Sequence, residues 1–288
     1  MLPDPSQRLE IAQRMEAAAE HFRLPFRSRN WRGHAGNWLG VGSGSSIDFQ
    51  DHRPYLPGDD PRYIDWRAYA RTGHYTMKLY REEVSPLVDL VLDVSRSMFF
   101  EPHKARRAAE LFAFCIASAR QAGVSLHSYV SAGSRLQRID NDPSASLELQ
   151  PPDAESGPPD CRRVPWRHGS MRVLISDLLF AGAPDPVLAA LSTGQGHGIV
   201  MAPYCNAESA PDWSGNIEMT DCESGRKRLQ RVDTGLLDRY RHSYTRHFAL
   251  WRERARKHSV LLARIAAEAD FREALQAEAL PAGAVELA

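Results

Sequence analysis

The chain has 288 residues, 43% hydrophobic and 25% charged, and its 36 Lys and Arg balance 36 Asp and Glu, so no global field directs it to nucleic acid or to an anionic membrane surface. No run approaches the roughly 18 apolar residues of a membrane span, and the N-terminal MLPDPSQRLE lacks the basic and apolar regions of a signal peptide, which makes the cytoplasm the expected location. Cys115, Cys161, Cys205 and Cys222 are far apart with no CxxC spacing, which argues for reduced thiols and against a disulfide or zinc framework.

Residues 7–22, with Leu9, Ile11, Ala12, Met15, Ala18 and Ala19 near a 3.6 spacing, predict an amphipathic helix that packs on the main domain. Gly, Ser and Trp in NWLGVGSGSSIDFQ predict short strands and turns over 30–50, and alternation at Tyr75, Met77 and Leu79 predicts a strand there. From residue 87 short apolar runs alternate with helical periods. LVDLVLD is a strand, 104–122 a helix closed by Gly123, SLHSYVS a strand and RLQRI an edge strand. MRVLISD, a helix near 184–193, GIVMAPY, a hairpin around 216–232, a helix over 235–257, SVLLARI and a helix near 270–279 follow. Such alternation means crossover connections, so the expected class is α/β, a doubly wound, mainly parallel sheet. Residues 1–86 form an N-terminal helix and β-rich extension in this reading, and 87–288 the α/β domain, interrupted by a Pro-rich loop at about 141–170.

Two apolar strands end in acids, Asp93 in LVDLVLDVSRSM and Asp177 in MRVLISDLL. In an open α/β sheet, ligands bind beyond the carboxyl ends of the strands. Asp93, Ser95 and Ser97 there offer a carboxylate and two hydroxyls, the hard oxygens that Mg2+ prefers, with Mn2+ as the alternative. In the competing metal-free reading the serines cap the next segment and Asp93 accepts backbone hydrogen bonds.

These motifs resemble the von Willebrand factor type A fold and its metal-ion-dependent adhesion site. RPYLPGDDPRYIDWRAYAR before them, and DCESGRKRLQRVDTGLLDRYRHSYTRHFALWRERARKHSV after, are similar to the bacterial domain-of-unknown-function family 58, over about residues 30–280. The resemblance implies that Asp93, Ser95 and Ser97 are metal ligands, directly or through water, and that Asp177 is an outer carboxylate. It also calls for a threonine from an intervening loop, and none lies between Ile139 and Met171, where Ser144, Ser146, Ser156 and Ser170 are the substitutes. The family is commonly associated with MoxR-type AAA+ ATPases and is thought to act in maturation or assembly of client proteins. Many relatives carry N-terminal membrane segments, from which this chain departs.

In RPYLPGDDPRYIDW, Asp59, Asp60 and Asp65 lie within reach of Arg53, Arg62 and Arg67 and close to Tyr55, Tyr63 and Trp66. This predicts a hydrogen-bonded clasp, either architectural, tying the N-terminal segment to the sheet edge, or a docking surface. LGVGSGSS lacks the Lys-Ser or Lys-Thr of a phosphate loop, and there is no G-x-S-x-G elbow. The basic helix over 235–257 reads as a sheet-covering helix with a solvated outer face, the alternative being a surface for an acidic partner, a lipid surface or nucleic acid. The expected function is therefore a non-enzymatic interaction or adaptor module with a protein partner, a MoxR-type ATPase and its client, and no nucleic acid. The alternative is a metal-dependent hydrolase or phosphatase using Asp93 and Asp177, although Ser95 stands where Asp-nucleophile phosphatases place a second acid. A third reading, a scaffold with a degenerate metal site, predicts that Asp93→Ala leaves partner binding intact.

Overall fold

The computed structural model describes residues 5–26, 35–43, 49–84, 86–141 and 159–288. It divides into two compact units, one made of Met1–Phe26 with Leu87–Ala288 and the other of Arg27–Pro86. The division expected at residue 86 is therefore joined by a second at Phe26, because the N-terminal helix belongs with the α/β unit.

That helix, α1 (Pro5–Ala19), buries Ile11, Met15, Ala18 and Ala19, while Leu9 is exposed. Arg14 pairs with Glu110, and Glu16 with Arg120, on the helix against which α1 packs. The short β1 (Phe22–Arg23) then pairs with a strand at the other end of the chain, Phe22 opposite Leu287. The second unit is an antiparallel sheet in which β2 (Ala35–Ser43) and β3 (Phe49–Pro54) flank β4 (Thr76–Val84). Its helix α2 (Trp66–Thr72) ends at Gly73, whose φ of 74° is the left-handed conformation that stops a helix.

The α/β unit resumes with β5 (Leu87–Asp93), α3 (Pro102–Gln121), β6 (Ser125–Ala132) and β7 (Arg135–Ile139). After the interruption come β8 (Met171–Ile175), α4 (Asp185–Ser192), β9 (His197–Tyr204) and the one-turn α5 (Asn206–Ser209). The chain ends with the hairpin β10 (Gly215–Thr220) and β11 (Lys227–Val232), α6 (Thr234–Lys257), β12 (Leu261–Ala266), α7 (Phe271–Ala274) and β13 (Glu286–Leu287). The helix expected near 270–279 is α-helical only at first and continues as a π-helical turn over Leu275–Ala279.

The main sheet has six strands in the order β12-β9-β8-β5-β6-β7, parallel except for the antiparallel edge strand β7. Central β5 is buried from Val88 to Asp93, as a strand covered on both faces must be. Val91, Leu174 and Val200 pack with Leu188 and Leu191 of α4 and with Phe248 and Trp251 of α6. Side chains alternate across a strand, so their neighbours Leu90, Val173 and Ile199 point to the opposite face, where α3 lies. The doubly wound arrangement expected from the sequence is therefore present as a mixed α/β unit with helices on both faces.

Chain order reverses at the centre. From β5 the chain passes through α3 to β6 on one side, then returns to place β8 on the other. The carboxyl ends of β5 and β8 diverge at such a switch point and leave a crevice between them.

Candidate functional site

Asp93 and Asp177 emerge at this crevice. The Asp93 carboxylate is 1% exposed and accepts from the Ser95 backbone N–H at 2.9 Å and from Ser176 Oγ at 2.7 Å. Ser95 Oγ lies 3.1 Å from Ser97 Oγ. Burial, reinforced by the neighbouring charge of Asp177, pushes the Asp93 pKa up to about 7. The tight exit of β8 holds Asp177 in place. Leu178, buried, adopts φ 60°, an unusual left-handed conformation for a bulky side chain. Ser176 Oγ accepts from Leu178 N at 3.2 Å, Asp177 Oδ1 accepts from Leu179 N at 3.0 Å, and His247 Nε2 of α6 lies 2.8 Å from the Leu178 carbonyl.

A cation from α3 fills the inner part of the crevice. Lys104 Nζ, fully buried, donates to Asp177 Oδ2 at 2.6 Å and to Glu208 Oε1, and it lies over the Phe100 ring. Burial alone would lower the Lys104 pKa, but the two carboxylates outweigh it and hold the ammonium above the ordinary lysine value. Glu208 Oε2 in turn accepts from Cys205 N at 3.1 Å. On the outer side, Glu223 at the tip of the β10–β11 hairpin accepts from Ser97 N at 2.9 Å. A separate cleft of about 400 Å³ opens among Ser134, Asp160, Arg162, Phe180 and Val187, lined by residues that follow β6 and β8.

The expected oxygen donors therefore converge in part. Asp93, Ser95 and Ser97 form one cluster, and Asp177 stands beside it but is engaged by Lys104. Of the threonine substitutes, Ser144, Ser146 and Ser156 fall outside the described residues. Ser170 is excluded by position. It precedes β8 and donates to buried Asp89 at 2.7 Å, together with the backbone N–H and Nε of Arg167, at the amino ends of the strands. Six residues of extended chain separate it from Ser176, roughly 20 Å at about 3.3 Å per residue.

Among the described residues no group of three His, Cys, Asp or Glu side chains forms a metal-ligand set. The donor chemistry nevertheless fits a small hard cation. An octahedral ion with ligands at about 2.1 Å has adjacent oxygens about 3.0 Å apart, close to the separation of the two serine hydroxyls. Four carboxylates, Asp93, Asp177, Glu208 and Glu223, line the crevice, and Lys104 neutralises one charge. Asp93, Ser95 and Ser97 are the side chains that would hold the ion.

The acidic residues of the clasp each find partners close in sequence. Arg53 grips Asp59 with two hydrogen bonds of 2.7 and 2.6 Å, in a turn where Gly58 has φ 105°. This pairing holds the Asp59 pKa down to about 2. Asp60 is paired with Arg62. Asp65 meets Arg67 through the backbone. It accepts from the backbone N–H groups of Arg67 and Ala68, capping α2, and its other oxygen meets His52 Nε2 at 2.9 Å. Hydrogen bonding to His52 first, and to the backbone after it, lowers the Asp65 pKa to about 2. Asp65 can cap α2 because it stands immediately before the first turn, and its second oxygen stays free for His52. Tyr69 stacks on Tyr75 at 4.6 Å, Tyr55 lies 6.2 Å from Tyr75, and Trp66 remains 58% exposed. Every one of these contacts is internal to the Arg27–Pro86 unit.

Sequence reasoning did not single out Lys104, Ser176 or Glu208, nor did it assign Glu223 a place. Lys104 had a signal, since it shares the apolar stripe of α3 with Ala108, Leu111 and Cys115, where an unpaired lysine does not belong. The expected solvated face of α6 is present, with Tyr244, Phe248, Trp251 and Ala255 buried and Arg239, Arg246, Arg252 and Arg256 exposed.

A family model described as "Protein of unknown function DUF58" matches residues 51–139. No curated protein matches the chain. Among solved structures, the conserved hypothetical protein BatB from Bacteroides thetaiotaomicron is similar at 16% identity, covering 69% of this chain and 98% of its own, with a TM-score of 0.38. An aerotolerance-related membrane protein from Bacteroides fragilis NCTC 9343, with multiple mutations to serines, is similar at 15% identity, covering 60% of this chain and 100% of its own, with a TM-score of 0.33. No helix among the described residues is long and apolar enough to cross a membrane.

Proposed function

We propose that the chain is a non-enzymatic interaction module of von Willebrand type A character, whose crevice holds Mg2+ or Mn2+ and receives an acidic side chain of a protein partner. The observation that carries this reading is the oxygen cluster of Asp93, Ser95 and Ser97, gathered on the loop that leaves the central strand at the switch point. When bound, the cation would supply charge and orientation for the partner's carboxylate. The chain's own groups prepare the place. Ser176 and the Ser95 N–H fix the Asp93 carboxylate, and Lys104 neutralises and immobilises Asp177, which leaves it as an outer carboxylate.

The electrostatics favour binding over catalysis. Lys104 is held as an ammonium by two carboxylates and is no nucleophile at neutral pH. Burial pushes the Cys161 and Cys205 thiols up to about 12, so neither presents a thiolate. From the resemblance in RPYLPGDDPRYIDWRAYAR and DVSRSM, the partner is a MoxR-type AAA+ ATPase, with the module acting as an adaptor in maturation or assembly of a client.

Calorimetric titration of Mg2+ and Mn2+ into the chelator-treated protein tests this, with Asp93→Ala alongside. Saturable binding by the wild type alone supports the reading. Metal-dependent turnover of a generic phosphoester that Asp93→Ala abolishes would replace it with the hydrolase alternative. Co-elution with a MoxR-type ATPase that survives Asp93→Ala would move recognition away from the crevice.

A further inference from the structure

The hairpin β10–β11 forms a two-stranded sheet of its own, separate from the six-stranded one. Its turn is built around Asp221, whose Oδ1 accepts from Glu223 N at 3.0 Å, Ser224 N at 2.6 Å and Ser224 Oγ at 2.8 Å. Gly225, at φ 69°, lets the chain return so that Asp221 N reaches the Arg226 carbonyl. The geometry presents Glu223 to the loop after β5. The Glu223 carbonyl accepts from Arg96 Nη1 at 3.2 Å, and its Oε1 accepts from Ser97 N at 2.9 Å. Its Oε2 is buried and has no hydrogen-bond partner.

A carboxylate oxygen withdrawn from water with nothing to receive its charge is unfavourable, and such atoms call for a ligand. This one belongs to a carboxylate anchored on Ser97, whose own hydroxyl lies in the Asp93 cluster. We propose that Glu223 completes the cation site from within the chain, its Oε2 joining Asp93, Ser95 and Ser97 around one Mg2+ or Mn2+. This rests on the crevice reading above and adds a consequence to it. The protein supplies in cis the acidic ligand that a partner would bring, so the bound cation fastens the hairpin over the loop. An acidic partner then engages the site by displacing Glu223.

The test uses Mn2+ as the probe on the chelator-treated full chain, comparing wild type, Asp93→Ala and Glu223→Gln. Glutamine keeps the size of the side chain and an acceptor for Ser97 N, and removes the charge. The expected result is that Glu223→Gln weakens Mn2+ binding at least tenfold while Asp93→Ala abolishes it. Hydrogen exchange supplies a readout that needs no variant, because Mn2+ should slow exchange of residues 215–232 in the wild type. Equal Mn2+ affinity in wild type and Glu223→Gln, or a hairpin whose exchange ignores Mn2+, would overturn the role of Glu223 and leave the crevice site standing. No Mn2+ binding by the wild type would overturn both.

Discussion

Replacing Lys104 with methionine removes the ammonium from between Asp177 and Glu208 and keeps an aliphatic chain of similar length. The side chains of Lys104, Asp177 and Glu208 are 0%, 2% and 8% exposed, so water cannot take the place of the lost partner. Removing one member of a buried ion pair costs about 3–5 kcal/mol, mostly because the remaining charge is stranded. Here two carboxylates are stranded together, and the variant should lose that much stability at pH 7. Protonating a stranded carboxylate removes its uncompensated buried charge, so the deficit should shrink from pH 8 to pH 5. Adding Glu208→Gln and Asp177→Asn to Lys104→Met should recover most of the loss. Native-state hydrogen exchange of the β5 and β8 amides in urea reads the opening of the α/β unit and serves as the assay. A deficit below about 1 kcal/mol, or one independent of pH, would refute the view that Lys104 neutralises a buried acidic crevice.

Asp93 gives a second pH test. Its pKa is raised from 3.8 to about 7 on folding, so the metal-free protein should lose stability as pH rises between those values, by up to about 4 kcal/mol, and change little above them. Asp93→Asn should flatten that slope, and an unchanged slope in urea titrations would place its origin elsewhere. Mn2+ requires the ionised carboxylate, so calorimetric affinity should rise as pH passes through about 7. Gly198→Ala should destabilise the unit by about 1–3 kcal/mol, since the new Cβ would stand 2.8 Å from Val260 Cγ2 and 2.9 Å from Leu191 Cβ. A thermal melt unchanged from wild type would show that α4 and the loop before β12 can yield. Asp65→Ala should speed exchange of residues 66–72 by removing the α2 cap, with β5 protection intact, whereas equal exchange would mean that the cap is dispensable.

The sequence by itself determined what depends on local period and chain order. The apolar runs at LVDLVLD, MRVLISD and GIVMAPY, with helical periods between them, required buried parallel strands covered on both faces. The acids that end two of those strands marked the carboxyl ends of the sheet. RPYLPGDDPRYIDW announced a turn and a hydrogen-bonded clasp, since opposite charges so close in sequence act on their nearest neighbours. Tertiary structure decided which distant groups share the crevice. It brought Lys104 against Asp177, 73 residues away, and against Glu208, 104 residues away. It also brought Glu223 against Ser97 across 126 residues. No spacing rule reaches that far, because such pairs are set by how strands order themselves in the sheet and where the hairpin folds. The same long-range order sent Ser170 to Asp89 at the far end of β8. Local chemistry named the oxygen donors, and packing chose the cation and the carboxylates that surround them.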